Sequence, residues 1–241
     1  MDVKELDVLG DSIGSHWYYR AKSDFLRQML RRHRVEPSAV LDVGAGSGFF
    51  CKEILGRTGA ISGVCVDPAY ALESTDRING KTIDFRRSIG LIESFDLALF
   101  IDVLEHVEDD AGLLASYRDY VLPEGYFLIS VPAFSWLWSD HDDFLEHKRR
   151  YTAAELRACV HRAGLRPIEV GYIFGAVLPM AALSRLPEKI ARRKGRAAQS
   201  QLRKHGRLTN DLLLGACSLE LRLAKFNRIA GLSVVCLATT E

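Results

Sequence analysis

The sequence has no paired-cysteine motif and no long apolar run, and each absence excludes a class of protein. The five cysteines (Cys51, Cys65, Cys159, Cys217 and Cys236) form no CxxC pair and no zinc-ligand spacing, which argues against a disulfide framework or a structural zinc site. The longest mostly apolar run, residues 172–183, is too short for a transmembrane helix. Residues 1–12 are acidic and lack the apolar core of a signal peptide. We therefore expect a cytoplasmic protein.

Net charge is also small, at +1, but it is unevenly distributed. Residues 185–207 hold nine Lys or Arg and one Glu. This segment is either a solvated basic helix pair or a surface for an anionic partner, such as a membrane face. We do not expect a nucleic acid partner, because aromatic and basic residues do not alternate and no RNA-binding motif occurs.

Apolar runs and helical segments alternate along the chain. Strands are predicted at 39–43, 60–67, 81–87, 95–102, 126–132, 166–174 and 231–240. This alternation predicts one α/β domain over residues 1–241, with a mainly parallel sheet and helices on both faces. Residues 175–230 form a helical insertion between the last two strands.

A glycine-rich turn over residues 40–50 is the strongest single signal. Gly44 and Gly46 fit a dinucleotide turn, but its third small position is occupied by Phe49. Asp42 would repel a pyrophosphate at this turn and would attract a cation, as S-adenosylmethionine carries. Asp67 ends the second strand, where a carboxylate can bind ribose hydroxyls. The alternative is a turn that only packs a helix, with both acids as caps.

These motifs resemble those of the class I S-adenosylmethionine-dependent methyltransferases. The resemblance rests on the segments 42–48, 67–68 and 102–107. It implies a seven-stranded sheet of order 3-2-1-4-5-7-6 with strand 7 antiparallel, S-adenosylmethionine as methyl donor and S-adenosylhomocysteine as product. It also implies a set of cofactor-binding residues, namely Asp42, Gly44, Ala45, Gly46, Asp67, Pro68, Asp102 and Val103.

Residues 15–34 have helical apolar spacing, and the stretch 16–22 within them is similar to the N-terminal helix of this group. That similarity implies that Tyr18 and Arg20 close over the cofactor, with Arg20 facing the methionine carboxylate. The alternative is an amphipathic helix that only covers the sheet edge.

The sequence Asp-Val-Leu-Glu-His after the fourth strand offers two kinds of chemistry. His106 is a candidate general base, because its ordinary pKa suits proton transfer at neutral pH. If 102–106 forms a helical turn, Asp102, Glu105 and His106 share one face and resemble the magnesium site of ubiquinone-biosynthesis and small-RNA 2′-O-methyltransferases. In the RNA enzymes a further histidine after the fifth strand completes that site, and His141 and His147 stand in the corresponding region here. We nevertheless expect no metal, because most methyltransferases with this spacing bind none, and the alternative to a catalytic His106 is a histidine held only by packing.

Residues 133–151 should overhang the carboxyl edge of the sheet, because they directly follow the fifth strand. Trp136 and Trp138 provide flat apolar walls, and His141 and His147 provide polar groups. We interpret the segment as an acceptor-side loop with His141 and His147 as further catalytic candidates. The alternative is a surface loop whose tryptophans cover the core.

The predicted reaction is O- or N-methylation of a small-molecule or lipid-linked acceptor. A catalytically inactive cofactor-binding or scaffold protein of the same fold is the first alternative, and a nicotinamide oxidoreductase is the second. The sequence does not determine the acceptor or the oligomeric state.

Overall fold

One mixed β-sheet forms the centre of the molecule. The computed structural model describes residues 9–90, 93–192 and 206–240. The strands of the sheet are β1 (Ala39–Val43), β2 (Ser62–Val66), β3 (Ser74–Ile78), β4 (Lys81–Arg86), β5 (Phe95–Ile101), β6 (Val121–Pro132), β7 (Leu165–Ile173) and β8 (Ser233–Thr240). Their order is β3-β4-β2-β1-β5-β6-β8-β7.

The seven predicted strands occur in the expected order. The β1–β2, β1–β5, β2–β4 and β5–β6 pairs are parallel, and β8 runs antiparallel to both β6 and β7. The count of seven was one too low, because β3 pairs antiparallel with β4 at the edge. Pro123, Glu124 and Gly125 lie inside β6, where the β5–β6 register shifts between Phe95 and Leu97.

Helices pack on both faces of the sheet, as predicted. They are α1 (Trp17–Arg32), α2 (Phe49–Arg57), α3 (Asp110–Ser116), α4 (Asp140–Phe144), α5 (Ala153–Arg162), α6 (Leu178–Arg192) and α7 (Arg207–Leu221). One apolar core contains residues of α1, α2 and α7, and the other contains residues of α3 and α5. The capping box of α5 forms between Thr152 and Glu155.

The predicted helical insertion contains α6 and α7. Residues 193–205, the centre of the basic segment, lie outside the described residues. Arg185 of that segment is buried, and its guanidinium donates to the Leu137 carbonyl at 2.6 Å. Within the described ranges, none of the helices combines the length and apolar character needed to cross a bilayer.

Candidate functional site

The glycine turn joins β1 to α2 at the carboxyl edge of the sheet. Gly44 and Gly48 have φ of 64° and 67°, in the left-handed region that favours glycine. A Cβ on Gly44 would lie 2.8 Å from Val103 Cγ2, and a Cβ on Gly48 would lie 2.6 Å from Phe85. The turn is therefore packed against two neighbouring strand ends as well as being sharply bent.

Asp67 closes the other side of this turn. Its buried carboxylate accepts from the Gly46 amide at 3.0 Å and from the Ala69 amide at 2.9 Å. The Gly44 amide donates to the Val66 carbonyl at 2.7 Å, which fixes the turn to the end of β2. Asp67, the predicted ribose ligand, thus lies directly beside the glycine turn, with Ala45 buried and Pro68 exposed.

Asp42 lies in β1, where the turn begins. It is buried and accepts from the Cys51 amide of α2 at 3.3 Å. Burial raises the pKa of the Asp42 carboxyl to about 7. Near neutral pH this group is therefore divided between its acid and its carboxylate, so the attraction for a cation predicted from the sequence depends on pH.

Asp102 follows β5 and is paired with a buried lysine. Lys22 of α1 is fully buried and donates to Asp102, and Ser130 Oγ donates to the other carboxylate oxygen at 3.3 Å. Burial disfavours both charges, but their mutual attraction outweighs it, raising the pKa of Lys22 and lowering that of Asp102. The pair places one cation and one anion beside the glycine turn.

Helix α1 delivers two of its side chains to this pair. Tyr18 Oη lies 3.4 Å from Asp102, and Lys22 Nζ lies 4.6 Å from the centre of the Tyr18 ring. Tyr18 and Lys22 are four residues apart, so they share one helix face. Arg20, two residues from each, is exposed on another face. Lys22 was missed because lysines are rarely buried, although its spacing from Tyr18 was visible in the sequence.

Three non-glycine residues at this edge of the sheet have strained backbone conformations. Asp102, Phe134 and Phe174, which follow β5, β6 and β7 respectively, have φ of 55°, 57° and 67°. Positive φ is costly for residues other than glycine, and such strain often occurs at functional sites. Arg34, Asn79, Glu124 and Glu146 share this conformation at other positions, so the strain supports a site here only together with the glycine turn.

Three potential metal ligands meet just beyond Asp102. One ligand atom from each of Glu105, His106 and His147 lies within 4.8 Å of the others. Glu105 is fully buried, and neither carboxyl oxygen has a hydrogen-bond partner in the described part of the chain. Burial and the Asp102 charge raise the pKa of Glu105 well above its usual range.

The cluster differs from the ligand set that the resemblance suggested. A helical turn does not form over 102–106, because only Leu104–His106 forms a short 3-10 helix and Asp102 turns toward Lys22. His147 takes the third place in the cluster, with its ring centre 4.8 Å from that of His106. One carboxylate and two imidazoles suit zinc or another transition metal better than magnesium.

A buried ionic network holds His147 in place. Asp142 accepts from His147 Nδ1 at 2.9 Å and from Arg150 Nε and Nη2 at 2.7 and 2.9 Å. Ser139 donates to Asp142 through its amide and hydroxyl. Burial would raise the pKa of Asp142, but the His147 hydrogen bond and the Arg150 charge hold it well below its usual range. A carboxylate on Nδ1 leaves Nε2 of His147 to act as ligand or base.

The other candidate side chains of the predicted acceptor loop, His141, Trp136 and Trp138, do not belong to the Glu105–His106–His147 cluster. His141 lies in the short helix α4 and is half-buried, outside the cluster. Trp138 Nε1 donates to Asp143 at 2.8 Å, and the 53% exposed Trp136 stacks on Phe134. Trp136 therefore presents aromatic surface to solvent, whereas Trp138 is tied to its own loop.

Comparison with known proteins is consistent with this geometry. A family model described as a methyltransferase domain matches residues 15–170. The tRNA U34 carboxymethyltransferase of Dichelobacter nodosus is 32% identical over 134 residues, 52% of this chain and 41% of that protein. The ubiquinone biosynthesis O-methyltransferase of Cereibacter sphaeroides is 25% identical over 185 residues, 64% of this chain and 71% of that protein.

The fold is shared with a solved S-adenosylmethionine-dependent methyltransferase from Mesorhizobium loti. The TM-score is 0.53 at 16% identity, and the match covers 94% of this chain and 99% of the other. The family match spans the glycine turn, Asp67, Asp102 and the histidine cluster. The chain therefore belongs to the methyltransferase domain family and has the Rossmann-like fold of S-adenosylmethionine-dependent methyltransferases.

Proposed function

We propose that this protein transfers the methyl group of S-adenosylmethionine to an oxygen or nitrogen of a small-molecule or lipid-linked acceptor. The observation that carries the proposal is the convergence of the glycine turn, Asp67 and the Lys22–Asp102 pair at one sheet edge. The ubiquinone-biosynthesis relative, named for O-methylation, favours oxygen as the target atom.

The cofactor is proposed to lie across the ends of β1, β2 and β5. Asp67 would accept from the ribose hydroxyls, and Gly44, Ala45 and Gly46 would lie under the methionine part. Lys22 and Asp102 match the two charges of the methionine group, with the ammonium facing Asp102 and the carboxylate facing Lys22. Tyr18 would cover this end. Arg20 remains a candidate for the same carboxylate only if its exposed side chain turns inward.

The chemical step is an in-line displacement. A lone pair of the acceptor attacks the methyl carbon, the carbon–sulfur bond breaks, and its electron pair stays on sulfur, which gives S-adenosylhomocysteine. Proximity and orientation supply most of the rate. The acceptor proton would pass to His147, because Asp142 orients that imidazole, with His106 next to it as the alternative base. His141 is a weaker candidate because it lies outside the cluster.

The cluster favours a second role for the same residues. Glu105, His106 and His147 fit a divalent transition metal, because a buried carboxylate without a partner needs a cation or a proton. A bound metal would supply Lewis acidity toward the acceptor oxygen. His147 would then be a ligand and would not act as the base.

Three segments are proposed to surround the acceptor: the helix within 15–34, the loop 133–151 and the insertion 175–230. The basic residues of 185–207 would add peripheral contact with an anionic membrane face. Cytoplasmic location is proposed because all five cysteines are free and buried. A nucleic acid acceptor is not favoured, although one relative is named for tRNA.

Calorimetric titration of S-adenosylmethionine and NAD into the purified protein tests the cofactor assignment. We expect the wild type to bind S-adenosylmethionine but not NAD, and we expect the Asp67→Ala variant to lose S-adenosylmethionine binding. The double variant Lys22→Met with Asp102→Asn removes both charges without leaving a buried ion unpaired, so it should fold but bind the cofactor at least about tenfold more weakly. Unchanged affinity would refute the role of the pair.

An acceptor screen with labelled methyl donor completes this test. Methyl transfer to a phenolic or lipid-linked acceptor supports the proposed reaction. Cofactor binding with no transfer to any acceptor, including tRNA, would favour the inactive cofactor-binding alternative.

A further inference from the structure

Helix α7 is apolar on two opposite faces, although an amphipathic surface helix needs only one. Its inner face holds the buried Cys217 together with Leu213, Leu214 and Leu221, which pack against the core. Asn210, on the same face, accepts from the Trp17 amide at 2.7 Å and joins α7 to α1. The inner face therefore accounts fully for how the helix is held to the protein.

The outer face carries a row of exposed leucines, which we term the leucine stripe: Leu208, Leu212 and Leu219 of α7, continued by Leu223 two residues past its end. They are 75%, 67%, 69% and 65% exposed respectively. The spacing of the three helical leucines places them within about 40° of arc around the helix axis, opposite the inner face. Phe226 and Ile229, further beyond the helix, are 68% and 86% exposed. Contiguous exposed apolar surface of this kind marks an interaction site.

The charges around the stripe indicate its occupant. Over residues 207–229 the exposed charged side chains are Arg207, Arg222, Lys225 and Arg228, against a single exposed acid, Asp211. The Arg228 guanidinium donates to the Val170 carbonyl of β7, so the cations beside the stripe are Arg207, Arg222 and Lys225. Glu220 is half-buried and accepts from the amides of Gly175 and Ala176. An apolar row bordered by cations is the pattern of a helix that lies in the headgroup region of an anionic bilayer.

We propose that the leucine stripe of α7 is the part of this protein that enters an anionic phospholipid surface. The proposal assigns apolar insertion to α7, beyond the electrostatic contact suggested for the basic segment 185–207. It does not depend on methyl transfer. Glu220 of α7 accepts from the Gly175 and Ala176 amides just beyond the end of β7, and β7 runs parallel to β1, so α7 lies at the carboxyl edge of the sheet. Docking there would bring the cofactor edge toward a lipid-linked acceptor.

Vesicle co-sedimentation of the full-length chain tests this proposal. The vesicles are phosphatidylcholine alone and a phosphatidylcholine–phosphatidylglycerol mixture. We expect the wild type to bind the anionic mixture preferentially, and the variant Leu212→Glu with Leu219→Glu to bind it about tenfold or more weakly. The matched control is Ile61→Glu with Leu72→Glu, a pair 68% and 81% exposed outside α7, which should bind like the wild type.

Equal binding by both double variants, or no binding of the wild type to either vesicle, would overturn the proposal. So would concentration-dependent self-association that Leu212→Glu with Leu219→Glu abolishes, because the stripe would then be a contact between copies of this chain. If that variant fails to fold, Leu208→Ser with Leu223→Ser tests the same stripe near its ends. S-adenosylmethionine titration of each variant reports separately on the fold and the cofactor site, so a failed methyltransferase assignment would not be mistaken for failed docking.

Discussion

Glu105 is the residue whose environment is hardest to explain by folding alone. A fully buried carboxyl with both oxygens unpartnered in the described chain destabilises the fold, whether it is charged or neutral. Metal binding would explain this position, because the imidazoles of His106 and His147 can coordinate the same cation as the Glu105 carboxylate. Without a bound cation the Glu105 side chain destabilises the fold, and with one it becomes a strong metal ligand.

Glu105→Gln is expected to abolish any metal-dependent stabilisation while leaving the metal-free stability nearly unchanged. A metal that binds only the folded state raises the unfolding temperature by mass action, and glutamine of similar size cannot supply the anionic oxygen. Thermal unfolding with and without Zn²⁺ or Mn²⁺ measures this effect. Glu108→Gln is the control, since Glu108 is exposed and pairs with Lys148 outside the cluster. No metal-induced shift in the wild type would leave His147 as the proposed general base.

At the level of secondary-structure elements, the β1–α2 turn has little freedom to change. Gly44 combines a φ of 64° with a close approach to Val103, the residue that follows Asp102. A side chain at position 44 would therefore strain the turn and push against the end of β5 at the same time.

Gly44→Ala should lower the free energy of unfolding by roughly 2 kcal/mol or more and weaken S-adenosylmethionine binding, because both the turn and the β5 end must move. Gly56→Ala is the matched control: Gly56 lies inside α2, and a Cβ there meets nothing within 4 Å. That substitution should be neutral or stabilising by up to about 1 kcal/mol. Urea unfolding measures the stability of both variants, and calorimetry measures their affinity for S-adenosylmethionine. Equal stability and affinity of the two variants would contradict the packing argument.

The same elements show what the sequence could and could not reveal. Six of the seven predicted strands are mostly apolar runs that end at a polar or glycine turn, whereas the strand at 81–87 was predictable from its alternation of Ile83 and Phe85 with polar residues. The strand β3, Ser74–Ile78, was missed because it is mostly polar and exposed and pairs only at the edge. Asp67 and Gly44 were visible as motifs. The Lys22–Asp102 pair and the cluster with His147 depend on contacts across many residues, which spacing alone does not encode.

At the scale of the whole molecule, stability should depend on pH through Asp42. Burial raises the pKa of this carboxyl from an ordinary 3.8 to about 7 in the folded state. Between these two values the folded protein retains a proton that the unfolded chain releases. The native state thus binds more protons, and linkage requires that stability decreases as pH rises from about 4 to 7 and then levels off.

Asp42→Asn removes this dependence, because asparagine cannot ionise. The free energy of unfolding of the variant, relative to that of the wild type, should therefore increase from pH 5 to pH 8, by at most a few kcal/mol. Urea unfolding at both pH values measures it. Asp76→Asn serves as control, since hydrogen bonds and Lys52 keep the pKa of the exposed Asp76 below its ordinary value, so it stays ionised throughout this range. Parallel pH profiles for Asp42→Asn and the wild type would contradict the inference, and would mean that the Cys51 amide and its surroundings solvate the Asp42 carboxylate well enough to keep it charged.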